Sequence, residues 1–176
     1  MQDPAVHWDF SMLNLLKDFA ARKQDSHRLY DALVSRAREP VFFTVFGVAD
    51  SIDGRFDLLV LHAWLVLAEL KGGPAAQGLT DLLFAGFDEA MREQGAGDMA
   101  IGHKLKAMAK AFYGRIAAYD GAADESELAS ALAKNLWRGA APDDRARRLA
   151  GYAMAARQRL KRSLPDVLDF GPLPTI

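Results

Sequence analysis

Cysteine is absent from the 176 residues. Disulfides, thiolate metal sites and cysteine nucleophiles are thereby excluded, and a reducing compartment is compatible. An excess of one charge is missing too: 22 basic and 23 acidic residues leave a formal net charge of -1. A dedicated nucleic-acid binder carries a clear basic excess, so DNA is not an expected partner. The most apolar stretch, Phe56 to Leu70, is interrupted by Asp57, His62 and Glu69. Its longest charge-free part is about half the roughly 20 residues that a membrane span requires, so it reads as a core helix. The start, MQDPAVHWDF, has no basic stretch leading into an apolar run and shows no secretory signal.

Catalytic and metal-binding spacings are also missing. The four histidines, His7, His27, His62 and His103, never fall within one helical turn of each other. No H-E-x-x-H, E-x-x-H or G-x-S-x-G occurs, which leaves no metal ligand set and no catalytic residue to nominate. Gly95-Ala-Gly97-Asp-Met-Ala100 imitates a dinucleotide fingerprint, but it follows a helix end where the true motif follows a strand. Gly97 to Gly102 leads into His103-Lys104, without the Lys-Ser/Thr of a P-loop.

What is present is a core and helical periodicity. Hydrophobic residues make up 51% of the chain, well above a disordered composition. Residues 1–11 read as an extension or tag-like tail. An amphipathic helix is expected over 12–24, with Met12, Leu13, Leu16, Phe19 and Ala20 on one face and Lys17, Arg22 and Lys23 on or beyond the other. Ser26 then caps a second helix to Arg38, which Pro40 ends. Residues 41–54 have strand propensity but no partner strand, so an ordered irregular segment packed on the bundle is expected. Further helices follow at about 55–71, 75–94 and 142–163; between the last two, one after Asp98 carries Ile101 to Tyr119 and another carries Leu128, Leu132 and Leu136, with Gly72-Gly73-Pro74 as a stop-and-turn and Asp124 with Glu127 as a capping box. The fold class is all-α: one domain, a bundle of six to seven helices, with 25–163 as its body and 164–176 as a C-terminal tail.

Three polar features invite function. His62 on the buried helix is either a satisfied core histidine or the ligand of a haem or small molecule. Asp50, Asp53 and Asp57, with Arg55 between them, form a polar network that pins the irregular segment, or an acid/base group acting on an unknown substrate. The last helix carries Arg145, Arg147, Arg148, Arg157, Arg159, Lys161 and Arg162 against Asp143 and Asp144. That cationic face is either solvated or drawn to anionic lipid headgroups or ribosomal RNA.

Ordered blocks along the chain resemble the ubiquinol–cytochrome c chaperone family. They begin with Tyr30, Ala37-Arg38-x-Pro40 and Phe43, then Gly47-Val48-x-Asp50, Asp53-Gly54-Arg55-Phe56-Asp57 and His62. Phe87-Asp88, Met91-Arg92-Glu93, Gly97-Asp98, Gly102-x-Lys104, Phe112-Tyr113-Gly114-Arg115, Tyr119 and Asn135 complete them. The resemblance covers about residues 28–138. Ala49 stands where a proline is common, and the arginine-rich start usual in bacterial relatives is diluted to Lys17, Arg22 and Lys23.

The resemblance implies a non-enzymatic assembly chaperone that binds newly made cytochrome b during biogenesis of respiratory complex III. It implies no cofactor of its own, with haem arriving through the client. Expected partners are cytochrome b, a small partner subunit or the ribosome, and an anionic membrane surface. The expected protein contacts are Asp50, Asp53, Arg55, Asp57, Arg92, Glu93, Asp98 and Arg115, taken as exposed members of the motif blocks. Membrane contacts are expected at Lys17, Arg22, Lys23, Arg157, Arg159, Lys161 and Arg162. The short form and missing transit peptide suggest a bacterial source. The expected location is the cytoplasm, peripheral on the inner face of the cytoplasmic membrane.

Overall fold

Helical periodicity sorts the chain into seven helices among the described residues: α1 (Phe10–Ala37), α2 (Pro40–Thr44), α3 (Ile52–Leu70), α4 (Gly73–Glu93), α5 (Asp98–Asp120), α6 (Glu125–Leu136) and α7 (Asp144–Ser163). The computed structural model describes the backbone of residues 10–93, 98–164 and 167–175, and the side chains among them from Gln24 onward except at 98–100. No strand occurs among these residues, and the fold is the all-α bundle that the periodicity predicts.

α3 is the axis. It is apolar nearly all round, so it buries every face, and it touches α1, α4, α5, α6 and α7. Leu58, Val60, Leu61, Leu65 and Val66 are inaccessible, each contributing roughly 2 kcal/mol of burial. Ser51 caps its first turn by accepting from the Gly54 N–H at 3.2 Å. On the far side α6 and α7 pair closely. The Asp124 cap accepts from the Glu127 N–H at 2.9 Å, and Glu127 reaches back to the Ala123 N–H, one residue beyond the usual box.

Two expected boundaries are displaced. The break at Ser26 does not exist: α1 runs unbroken from Phe10 to Ala37. No glycine or proline interrupts that stretch, and Ser26 is buried at the crossing with α4. A Cβ added to Gly78 would lie 2.3 Å from its Oγ. Ser26 therefore lies inside the helix and not at its start.

The irregular segment is shorter than 41–54. Pro40 ends α1 but also occupies the first turn of α2, where its fixed φ and missing N–H cost nothing. Only residues 45–51 are left without helix, and buried Phe42, Phe46 and Val48 hold them to the core. The Phe46 carbonyl accepts from Trp137 Nε1 at 3.1 Å and Arg145 Nη1 at 3.4 Å, fastening this loop to the α6–α7 corner. Gly54 permits the closest approach, since a Cβ there would meet the Ala49 carbonyl oxygen at 2.0 Å.

Candidate functional site

Between α1, α4, α5 and the first turns of α3 lies an open groove of about 630 Å³. Tyr30, Val34 and Ala37 line it from α1; Leu83, Phe87 and Met91 from α4; Met108 from α5. Ile52, Phe56 and Leu59 of α3 form its floor and lip, and Ile52 is 62% exposed. Charges sit at the rim: Arg38, Asp53, Arg55, Glu93 and Lys104. A second cleft of about 390 Å³ lies beside it, lined by Arg38, Pro40, Phe43, Thr44, Asp50 and Arg55. Arg38 and Arg55 border both. Volume and lining suit a binding surface, with apolar walls and few polar groups to set orientation.

Arginines hold all three acidic residues, and Asp53 and Asp57 share Arg138. Asp50 accepts from Arg55 Nε at 2.6 Å, and that contact holds its carboxyl below the usual carboxylate range. Asp53 lies 3.5 Å from Arg138 Nη2. Asp57 was expected at the surface but is wholly buried. Its oxygens lie 2.7 Å from Arg115 Nε and 3.0 Å from Arg138 Nη1. Charge attraction across these short contacts holds the cluster. Burial pushes the Asp57 carboxyl up, opposed by the Arg115 and Arg138 charges. Arg115 also packs over Phe56, 5.1 Å from the ring centre. Asp57 and Arg115 therefore shape the α3 end of the groove from within.

His62 is sealed in the core, and both ring nitrogens are engaged. Nδ1 lies 2.8 Å from the Leu58 carbonyl, which can only accept, so Nδ1 carries the proton. Nε2 accepts from the Tyr152 hydroxyl at 3.1 Å, which in turn accepts from Arg36 Nε at 3.0 Å. Burial, the largest cause, pushes the imidazole down to about 4. A ligand at Nε2 would have to displace Tyr152. The satisfied-core reading of His62 describes what the structure holds.

The remaining expected residues do not form one site. Arg92 pairs along α4 with Asp88 at 2.7 Å, whereas Glu93 reaches the groove rim. Asp98 opens α5, but its side chain lies outside the described residues, as do those of Lys17, Arg22 and Lys23. Gly95 to Gly97 and residues 1–9 lie outside them altogether. On α7, Arg157 folds inward, 2.9 Å from Glu69 and over the Trp64 ring. Arg159 lies 3.3 Å from Asp169, while Lys161 and Arg162 are exposed. Acids thus cover part of the cationic face. Among the described residues no group of three His, Asp or Glu side chains is arranged to hold a metal ion.

Sequence reasoning missed the apolar half of the groove. Its only signal was the motif blocks themselves. Tyr30, Ala37, Arg38, Phe56, Phe87, Met91 and Lys104, quoted separately for the resemblance, converge on this one surface.

Comparison with known proteins bears on this arrangement. The family model described as ubiquinol-cytochrome C chaperone matches residues 44–168. It therefore includes α7, which the motif blocks had left outside. The crystal structure of the Cbp3 homolog from Brucella abortus is similar over 94% of this chain and 96% of its own, at 30% identity and a TM-score of 0.78. A comparison with curated proteins yields no match. On a family match that spans most of the bundle and a solved relative that parallels nearly all of it, this chain belongs to the ubiquinol–cytochrome c chaperone family.

Proposed function

We propose that this chain is a non-enzymatic assembly chaperone that holds apolar segments of newly made cytochrome b in the groove between α1, α3, α4 and α5. The observation that carries this reading is the convergence of the family-like residues on an open apolar surface. A cleft of this volume, with apolar walls and few polar groups, has the ordinary form of a binding site. Met91 and Met108 give two of its walls unbranched, adaptable side chains, which suit a client that is not yet folded. Asp50, Asp53, Arg55 and Glu93 serve as polar rim contacts, and Arg92 and Asp98 flank them. Asp57 and Arg115 act from behind by fixing the α3 end.

No described helix is long and apolar enough to cross a membrane. In this reading the chaperone meets its client at the inner face of the cytoplasmic membrane, with Lys161 and Arg162 as headgroup contacts. A small partner subunit or the ribosome supplies the client, and haem belongs to the client.

Photo-crosslinking tests this. A benzoylphenylalanine at Ala90 or Ala107, both exposed on the groove wall, is expected to capture cytochrome b in cells making complex III. The same probe at exposed Gln158 on α7 is expected not to. Equal capture from all three positions, or none from the groove, overturns the proposal.

A further inference from the structure

The last turn of α1 is a wall of the groove, with open space on one side. Val34, Ala37 and Arg38 line the cavity there. Arg36 holds the turn from the other side. Its Nε donates to the Tyr152 hydroxyl at 3.0 Å, and its Nη2 donates to the Gly171 carbonyl. Its guanidinium also lies over the Tyr152 and Phe170 rings, 5.5 and 5.8 Å from their centres. Tyr152 of α7 supplies two of these contacts, and the tail after α7 supplies the other two.

The tail is shaped to supply them. Asp169 accepts from the Gly171 N–H at 2.8 Å and lies 3.3 Å from Arg159 of α7, which closes a tight turn against that helix. Gly171 has a φ of 73°, and a Cβ there would lie 2.6 Å from Arg159 Cδ, so the turn needs glycine. Phe170 is buried with its ring centre 5.5 Å from that of His62, and His62 meets the Phe42 ring of α2 at 5.2 Å. The tail thus completes the contacts around the corner where α1 passes into α2. A terminal segment tied down by few contacts opens at lower cost than the bundle beneath it.

We infer that the tail is a strap that sets the position of the groove's α1 wall. With Phe170 and Gly171 seated, Arg36 holds the last turn of α1 in place; with them released, that turn moves and the width of the groove changes. Arg36 is a positioning residue, acting on the cavity through Val34, Ala37 and Arg38 beside it. This coupling goes beyond the proposed function and does not depend on what fills the groove.

Because the chain has no cysteine, paired spin labels can be placed cleanly on the full chain and their separation read by double electron–electron resonance. Arg38→Cys with Ala107→Cys reports across the groove, from exposed positions at the end of α1 and on α5. Ser130→Cys with Ala155→Cys, exposed on α6 and α7, reports on the rest of the bundle. Phe170→Ala is expected to shift and broaden the groove distance while leaving the α6–α7 distance as it was. Gly171→Ala, which displaces the turn without touching a core side chain, is expected to do the same, and it decides the matter if Phe170→Ala does not fold. A groove distance that stays unmoved in the folded variants overturns the strap. Equal broadening of the α6–α7 distance overturns it too, because the whole bundle would then have loosened.

Discussion

Sealing a neutral imidazole between Leu58 and Tyr152 makes stability depend on pH, and the sign follows from the depressed value. In the unfolded chain His62 titrates near its ordinary 6.5; in the fold it resists protonation down to about 4. Its contribution is therefore complete above pH 6.5 and is lost as the pH falls through that window, by about 3 kcal/mol in all. Denaturant titrations between pH 7 and 4 should show this slope in the natural chain and a flatter one in His62→Gln, although the variant starts less stable. Parallel slopes would remove His62 as the cause. Asp57 shows where residue-level reading of the sequence stops. Its charge and its place beside Asp53 and Arg55 were plain, but its partners Arg115, on α5, and Arg138, in the turn after α6, are far along the chain, and only tertiary packing brings them together.

At the scale of elements, the crossing of α1 and α4 depends on a missing side chain. Glycine inside a helix costs up to about 1 kcal/mol against alanine, so α4 keeps Gly78 against its own propensity. The Ser26 side chain occupies the space a Cβ would take. Gly78→Val should lower stability by about 1 to 3 kcal/mol through overpacking, measured by thermal or urea unfolding. A variant as stable as the parent would mean that the crossing has slack. The same crossing explains why the boundary expected at Ser26 failed. Serine after aspartate reads locally as a cap, yet nothing nearby breaks the helix, and the tertiary contact uses the residue differently. The long helices were legible because each repeats its apolar residues at helical spacing. The turn of α2 was not, because five residues are too few to show a period.

For the whole molecule, the tail after α7 completes the core. Phe170 is buried against His62, with ring centres 5.5 Å apart, and Arg36 stacks on it while donating to the Gly171 carbonyl. The family match ends at residue 168, two residues before Phe170. Phe170→Ala should cost roughly 3 kcal/mol, read as a fall in melting temperature, even though the residue belongs to no helix. A change under about 0.5 kcal/mol would show that the tail merely rests on the surface. The groove was the least legible feature. Its residues come from four helices, and each helix's share looks in isolation like ordinary core. That shared construction also carries a thermodynamic reciprocity. Whatever fills the groove bridges α1, α3, α4 and α5 only while they stay assembled, so occupancy and unfolding are linked equilibria. An occupant at a hundred times its dissociation constant would add about 2.7 kcal/mol to the stability of the bundle. In the proposed function the converse would also hold: any event that loosens the first turn of α3 would weaken the grip on an occupant of the groove, and would release it without an energy source in the protein.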